Sequence, residues 1–403
     1  MKEESKKEKN ISQNIENLYF LLKIIFFQQI EFLIRNLELD LRGNHLIKNI
    51  RTLLWSSWFF EGECSERWLK VAKRLLRQEL EGQVLSDGMH FERSPSYHND
   101  VLSDLLDCYV MLNDEGVKQL LSEKIEKMGQ VALSLTHPDE SVPLFNDSVI
   151  TSKRFSDIKK RLKPLGIRLP THSSLFSFAD GGFSGLSLGK DYFVVKHGLI
   201  TANRLPGHGH ADIFSFEWSI EGERLIVDKG VFEYETGERR EQSRATKSHN
   251  TLNIDGQDQC VMWGSFRSAR KPRVTSVVEF KGEEIIVDGS HDGYCRLTGK
   301  PIHSRRVVAS RNQICVEDSV IGGRGQIAEA RLLFHPECRF IKKEESIMII
   351  LNNHRVELTS SSPLEIFETR WFPTFGKSIK THQIILKYGS IPGHWHFRLL
   401  RVD

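Results

Sequence analysis

The chain has 403 residues, enough for two or three domains of ordinary size. Hydrophobic residues make up 39% of it, and 56 basic side chains against 53 acidic ones leave a net charge of +3. This balance does not favour nucleic acid or an anionic membrane as a partner, so attraction for an acidic ligand requires a local cluster. The six cysteines contain no CxxC pair, which predicts reduced thiols rather than disulfides or a zinc knuckle.

The first residues, "MKEESKKEKN", are predicted to form a charged, disordered tail over 1–10. They lack the apolar core of a secretory signal, so no export signal is expected there. The apolar stretch 18–27 is short and is interrupted by Lys23. We therefore expect a buried helix rather than a membrane span.

The remaining chain divides by the period of its apolar residues. Residues 11–150 show helical spacing, which predicts about five helices, at 14–39, 44–60, 65–80, from about 96, and at 115–134. Residues 151–172 form a basic segment, interpreted as a solvated linker or, alternatively, as the lining of a groove for an acidic polymer. From 173 to 403 short strands alternate with Gly, Asp and Asn turns, which predicts an antiparallel β-sandwich.

Polar side chains cluster in glycine- and proline-rich loops at the ends of these elements. Taken singly, each cluster has an ordinary explanation as a helix cap or a turn; Asn44, for example, is a plausible N-cap. Together they supply phenol, imidazole and amide groups, which is the mixture that acid–base chemistry uses. The segments are "GNHLIKN", "DGMHFERSPSYH", "PGHGHADIFSFEWS", "VDKG", "SHNTLNIDG" and "HDGYCRLTG" followed by "HSRRV".

In this order the segments resemble those of the heparinase II/III-like polysaccharide lyases, over about residues 42–306. The resemblance implies an α+β multidomain fold, an α/α toroid followed by an antiparallel β-sandwich. About five helices are fewer than the usual toroid has, so we expect an incomplete one. The family usually works in the periplasm or outside the cell, although the sequence itself shows no export signal.

The resemblance also implies roles for individual residues. Asn44 matches the asparagine that neutralises the substrate carboxylate, and Tyr97 and His208 match the catalytic pair. The metal ligands, usually of a zinc ion that we expect to be structural, match His210, Asp228 and His249, and substrate contacts are expected from His45, Arg93, Arg204 and Tyr294.

The local sequence around the paired histidines gives further expectations. Gly207 and Gly209 are interpreted as allowing a tight bend that turns His208 and His210 in different directions. The following strand is expected to point Phe214, Phe216, Trp218 and Ile220 into the core. A two-residue turn at Glu221-Gly222 then predicts Asp228 opposite Ser215.

The implied reaction is β-elimination at a uronic acid in a heparan-sulfate-like, alginate-like or bacterial surface polysaccharide. Tyr97 or His208 takes the C5 proton, and Tyr97 is also the natural donor to the departing oxygen. Because a tyrosine pKa lies near about 10, a basic role for Tyr97 requires positive charge nearby, with Arg93 and Arg204 as candidates. A non-catalytic glycan-binding or polymer-assembly protein and a zinc-dependent hydrolase stay open as alternatives, as does a homodimer.

Overall fold

A computed structural model describes residues 2–169, 173–202 and 205–402, with side chains from residue 12 onward. The first part of the described chain is helical. Its α-helices are α1 Lys2–Arg35, α2 Gly43–Phe59, α3 Glu63–Gln83, α4 Pro95–Met111, α5 Glu115–Ser134 and α6 Phe155–Leu162, and a further helix, α7 Glu238–Arg244, lies between strands. The five helices that apolar spacing predicts are therefore confirmed.

The second part of the chain forms antiparallel sheets. The strands are β1 Leu175–Phe178, β2 Phe183–Leu188, β3 Asp191–Lys196, β4 Phe216–Ile220, β5 Glu223–Ile226, β6 Leu252–Ile254, β7 Val261–Trp263, β8 Arg267–Ala269, β9 Val274–Lys281, β10 Glu284–His291, β11 Ile302–Ala309, β12 Gln313–Ile321, β13 Ile327–Leu333, β14 Arg339–Lys342, β15 Ser346–Leu351, β16 His354–Ser360, β17 Leu364–Thr374, β18 Lys377–Ser390 and β19 Gly393–Arg401. Strands β1 to β5 form one sheet in chain order. An eight-stranded sheet has the order β14-β15-β16-β19-β12-β11-β10-β9, a four-stranded one β17-β18-β13-β6, and β7 pairs with β8. The expected class, helices followed by an antiparallel β-sandwich, is confirmed.

The chain divides into two compact units whose boundaries cut through helices. The first unit comprises residues up to Leu80 together with Asp104–Leu121, and the second comprises Glu81–Ser103 and the chain from Ser122 onward. The division differs from the boundary expected at 150, because the start of α4 and most of α5 belong to the second unit. Tyr97 is consequently in the same unit as the sandwich.

The sandwich has one large apolar core that draws on three sheets. Phe193 and Trp218 come from the five-stranded sheet, Ile285 and Val316 from the eight-stranded sheet, and Ile384 from the four-stranded one. All five side chains are almost fully buried. A smaller cluster packs Val131 at the end of α5, and Leu135 just after it, against the first strands. Apolar burial on this scale is the main force that fixes the sheets to each other.

Two expectations about the helical part are wrong. Many apolar residues in the first half of the described α1 side chains are exposed rather than buried, with Phe20, Leu21 and Leu22 each more than half accessible, whereas Ile30 is buried. Among the described residues, this helix alone, over Ser12–Arg35, is long and apolar enough to cross a membrane by length and composition, because it extends well beyond the stretch 18–27. The basic segment 151–172 is not only a solvated linker, since α6 lies within it and buries Phe155, Ile158 and Leu162.

Candidate functional site

Two tyrosines and a histidine meet at the start of α4. The hydroxyl oxygens of Tyr97 and Tyr234 lie 2.7 Å apart, a short hydrogen bond. The ring of Tyr97 stacks on that of His208, with centroids 3.9 Å apart and planes inclined by 25°. The first turn of α4 is fixed by Ser148, whose hydroxyl accepts the N–H of Ser96 at 3.0 Å. The structure therefore brings together the two side chains that the sequence predicts as the catalytic pair.

His208 lies between two buried carboxylates. Its Nδ1 is 3.1 Å from Oδ2 of Asp147, and its Nε2 is 3.4 Å from Oε2 of Glu92. The side chain itself is 12% exposed, so the imidazole is accessible from one side. A buried carboxylate bonded to Nδ1 fixes the orientation of the ring and the nitrogen that carries the proton.

Asp147 is the residue that connects the parts of the site. Besides His208, it contacts His210, whose Nε2 lies 2.8 Å from Oδ1, and it forms a two-pronged ion pair with Arg240. Burial raises the pKa of Asp147, but the charge of Arg240 and the bonds from both histidines outweigh it, and the pKa lies well below its usual range. Asp147 is therefore a permanent anion, held in a bidentate arrangement typical of Arg–carboxylate pairs.

Buried polar groups hold the loop that carries His208 and His210 in place. Asn146 accepts the backbone N–H of His210 at 3.0 Å and the ammonium of Lys196 at 2.7 Å. Lys196 is also paired with Asp212. The expected bend is present, since the N–H of Gly209 donates to the carbonyl of Pro206 at 3.4 Å across a turn at residues 207–208, although neither glycine has a positive φ. A Cβ at Gly209 would lie 2.9 Å from Ile200 and Thr201, so close packing requires this glycine.

Three buried side chains form a group that can hold a metal ion. One ligand atom each from His210, Asp228 and His249 lies within 4.8 Å of the others, and all three residues are fully buried. Nδ1 of His210 and Nε2 of His249 have no hydrogen-bond partner. Burial lowers the pKa of His210 to about 4, which leaves the imidazole in the neutral form that binds metals. Two unpaired imidazole nitrogens beside a carboxylate therefore fit a divalent ion.

The predicted hairpin brings Asp228 to this group. Glu221 and Gly222 both have positive φ, as a two-residue turn of type I′ requires. A bulge between Trp218 and Ser219 shifts the register, yet the hydroxyl of Ser215 still donates to Oδ2 of Asp228 at 3.1 Å. Phe216, Trp218 and Ile220 are buried in the sandwich core as expected, whereas Phe214 lies in a turn before β4 with a positive φ and is buried in a separate cluster with Ile213. Strand β4 is buried on both faces, since Glu217 is also inaccessible and bonds Arg224.

His249 is placed by its neighbour Asn250. The amide of Asn250 donates to the carbonyls of Phe216 and Val227, and its oxygen accepts the N–H of Leu333 at 2.7 Å. One side chain thus joins β4, the end of β5 and β13. Nδ1 of His249 lies 2.9 Å from both oxygens of Asp228, which directs Nε2 away from that carboxylate. In the "SHN" segment, Asn250 therefore holds the strands together and His249 is oriented by Asp228.

The electrostatics of Tyr97 contradict the expectation of a lowered tyrosine pKa. Burial raises the pKa of the Tyr97 phenol, the bond to Tyr234 opposes the shift, and the charges of Asp147, Glu92 and Asp100 add to it. The pKa of Tyr234 is raised as well, mainly by burial. Both phenols are consequently neutral at physiological pH.

Two of the predicted substrate contacts, Tyr294 and Arg93, are not supported by the geometry. Tyr294 is fully buried, and its hydroxyl donates to the carbonyl of Leu252, so it lies in the sandwich core instead of facing a ligand. Arg93 is buried too, and its guanidinium donates to the carbonyls of Phe91 and Asp180 rather than facing Tyr97. Arg204 lies outside the described residues.

Asn44 and His45 belong to the first compact unit. Asn44 is the second residue of α2, so it does not cap the helix; that position is held by Arg42. The side chain of Asn44 is buried. His45 is exposed and its Nδ1 lies 3.1 Å from Oε1 of Glu38, which also bonds Asn49. These contacts do not test the predicted roles, which are neutralisation of the substrate carboxylate by Asn44 and substrate contact by His45.

The sequence reasoning missed three residues of the site: Tyr234, Asp147 and Arg240. Each lies in a segment without a recognisable motif, and each is brought to His208 by tertiary structure. The nearest sequence signal was the Asn-Asp pair of the "FNDS" loop, since these residue types tolerate positive φ, and in the structure Asn146 and Asp147 both have it. Such conformations are uncommon in residues other than glycine and often occur at functional sites.

Comparisons with known proteins identify the class to which this fold and site belong. The family model for the heparinase II/III N-terminus matches residues 10–164, and that for the heparinase II/III-like C-terminal region matches residues 170–393. Together they cover most of the chain. The protein therefore belongs to the heparinase II/III-like family.

Individual relatives agree with this assignment. A heparin-sulfate lyase of Pedobacter heparinus is 30% identical over 247 residues, which are 55% of this chain and 37% of that protein. Among solved structures, a heparinase III has a TM-score of 0.78 at 19% identity, covering 96% of this chain and 65% of that one. The heparan sulfate lyase of Pedobacter heparinus has a TM-score of 0.73 at 21% identity, with 96% and 64% covered. The chain thus spans less than two thirds of these relatives, and the structural likeness concerns the fold.

Proposed function

We propose that the protein is a polysaccharide lyase that cleaves a uronate-containing glycan of the heparan sulfate type by β-elimination. The observation that carries the proposal is the hydrogen-bonded pair of Tyr97 and Tyr234 stacked on His208, in a chain of this family. A neutral phenol and a carboxylate-oriented imidazole are the groups that such a reaction needs. Relatives named as heparin-sulfate lyases support the substrate class.

In this proposal Tyr97 is the acid and His208 is the base. His208 removes the C5 proton of the uronate, electrons form the C4–C5 double bond, and the C4–O bond breaks. Tyr97 gives its proton to the departing oxygen, which its raised pKa favours because the phenol stays protonated. Asp147 orients His208, and Tyr234 holds the Tyr97 hydroxyl. By family resemblance, Asn44 neutralises the uronate carboxylate, which makes the C5 proton more acidic.

The group formed by His210, Asp228 and His249 is proposed to hold one zinc ion with a structural role. When bound, the ion would supply a fixed positive charge that pins the loop of His208 to β5 and the segment after α7. Asp147, which bonds Nε2 of His210, would orient that ligand, as carboxylates commonly do for metal-binding histidines. No step of the proposed reaction uses the ion.

The lyase function is tested with Tyr97→Phe, which removes only a hydroxyl. Wild-type protein incubated with heparan sulfate, alginate and other uronates should raise ultraviolet absorbance as the unsaturated product forms. The variant should lose about 10²- to 10⁴-fold in kcat while still binding the polymer, because general acid catalysis contributes that much. Binding without cleavage by the wild type would indicate a glycan-binding protein, and saturated products would indicate a hydrolase.

The metal proposal is tested by elemental analysis of the purified protein and of His210→Ala. We expect about one zinc ion per wild-type chain and a lower melting temperature after chelation, because an ion that binds only the folded state stabilises it. Zinc should restore the melting temperature of the wild type and not that of His210→Ala. A metal-free wild type whose melting does not respond to zinc would contradict the assignment and leave the Tyr97 chemistry unaffected.

A further inference from the structure

Two half-exposed phenylalanines flank the tyrosine that bonds the proposed acid. The ring of Phe266 lies 5.2 Å from that of Tyr234, and the ring of Phe375 lies 4.9 Å from it, centroid to centroid. Phe266 is 42% exposed and Phe375 is 47% exposed. A single exposed apolar side chain is ordinary, but two that converge on one partly buried site group are not.

Both phenylalanines sit at the tips of hairpins that come from different sheets. Phe266 ends the "GSF" connection between β7 and β8, and Phe375 forms the turn between β17 and β18 with Gly376. A hairpin tip that presents a large apolar ring to water pays a hydration cost with no benefit to the core. Both rings pack against Tyr234 and still leave nearly half of their surface in water, so the same arrangement at two separate tips points to a ligand that covers the exposed part.

The two tips are tied to the site by hydrogen bonds. Nε of Arg240 donates to the carbonyl of Ser265 at 2.9 Å, next to Phe266. The N–H of Gly376 donates to the carbonyl of Phe232 at 2.9 Å, two residues before Tyr234. The backbone of both hairpin tips is consequently held in place before a ligand binds, which lowers the entropic cost of binding.

We propose that Phe266 and Phe375 form an aromatic rim that stacks on sugar rings next to the cleaved linkage. A pyranose ring has faces made of C–H bonds, which pack on aromatic rings, while its hydroxyl and carboxylate groups point outward from the ring edge. The inference rests on the proposed lyase function, because it places the rim beside the Tyr97–His208 pair; Phe266 also lies 6.4 Å from the His208 ring.

The rim is tested with Phe266→Leu and Phe375→Leu, which keep apolar character but remove the flat ring. For heparan sulfate, KM should rise roughly three- to tenfold in each variant, the range expected for losing the apolar area of one aromatic face. The change in kcat should be smaller, since the rim binds sugar that does not react. Phe266→Trp and Phe375→Trp should restore KM, which a purely structural role does not predict.

Phe367→Leu is the matched control. Phe367 is 45% exposed on β17, the strand that leads into the turn of Phe375, and lies about 26 Å from Phe375 at the usual rise per residue, so its replacement should leave KM unchanged. Heparan sulfate affinity is also measured in the Tyr97→Phe background, so that binding is read without turnover. If the wild type cleaves nothing but binds heparan sulfate, and the leucine variants bind it more weakly, the lyase function is refuted and the rim is supported. Cleavage with wild-type KM and affinity in both leucine variants would overturn the rim.

Discussion

The hydroxyl of Tyr234 offers the sharpest test of how the candidate site is divided between its two phenols. Tyr234→Phe keeps the ring, and with it the contacts to Phe266, Phe375 and Arg240. It removes one hydrogen bond, the 2.7 Å contact to the Tyr97 hydroxyl. The substitution therefore isolates the contribution of that bond to the placement of the proposed acid.

The expected effect on activity is small compared with loss of the acid itself. A hydrogen bond between neutral groups contributes about 0.5–1.5 kcal/mol, which corresponds to a roughly two- to twelvefold fall in kcat/KM. Tyr97→Phe should cost about 10²- to 10⁴-fold. The bond to Tyr234 also opposes the rise in the pKa of Tyr97, so its removal should raise that pKa further and leave the phenol protonated throughout the assayed pH range.

The assay is the pH profile of kcat/KM, with absorbance of the unsaturated product as the readout. Tyr388→Phe is the control, because it deletes a buried hydroxyl that donates to Asp318 at 2.8 Å in the sandwich. It should lower the melting temperature and leave kcat unchanged. A Tyr234→Phe variant as impaired as Tyr97→Phe would show that Tyr234 is the proton donor, and an unimpaired one would show that the bond is not used.

Two further predictions concern the scaffold of the site. Gly209→Ala should lower both the melting temperature and the activity, because the new Cβ would lie 2.9 Å from Ile200 and Thr201. Gly207→Ala is the control and should be tolerated, because the atom nearest to its new Cβ is 4.0 Å away. Equal effects of the two substitutions would refute the packing argument. Arg305→Met should cost about 3–5 kcal/mol in urea unfolding, because it leaves the buried carboxylate of Asp318 without its two-pronged partner. The pKa of Asp318 is lowered, since Arg305 and its other hydrogen-bond partners outweigh burial, so this stabilisation is complete above the ordinary aspartate pKa of about 4 and is lost as the pH falls through the lowered value. An acid-unfolding curve that is the same for wild type and Arg305→Met would contradict that reasoning.

The helices and the order of the two parts were predictable because periodicity survives without tertiary information. Apolar spacing of 3.6 residues gave five of the helices, and the change to a period of two marked the sandwich. Apolar spacing alone could not show whether other segments pack against an apolar helix and bury it. Helix α1 has the composition of a buried helix, yet its exposure depends on which other segments pack against it.

The site residues that lie in sequence motifs were predictable, and those outside motifs were not. Tyr97, His208 and the three metal-binding candidates lie in recognisable segments, and the structure gathers them in one unit. Asp147 lies 61 residues before His208, and no local pattern relates the two. Tyr294 illustrates the opposite error, since a tyrosine in a conspicuous motif proves to serve the core, where its hydroxyl satisfies a buried carbonyl.

Asp147 contacts both the proposed base and a proposed metal ligand, and this affects how a loss of activity in a variant is interpreted. One carboxylate bonds His208, the proposed base, and His210, a proposed metal ligand, and Arg240 neutralises it. Because a buried carboxylate cannot reorient without breaking one of these contacts, any change at Asp147 or Arg240 disturbs the base and the metal group together. Substitutions there would remove activity whether the metal is structural or absent. The hydroxyls of Tyr97 and Tyr234 bond each other and not the metal group, so variants at these two positions report on the chemistry alone.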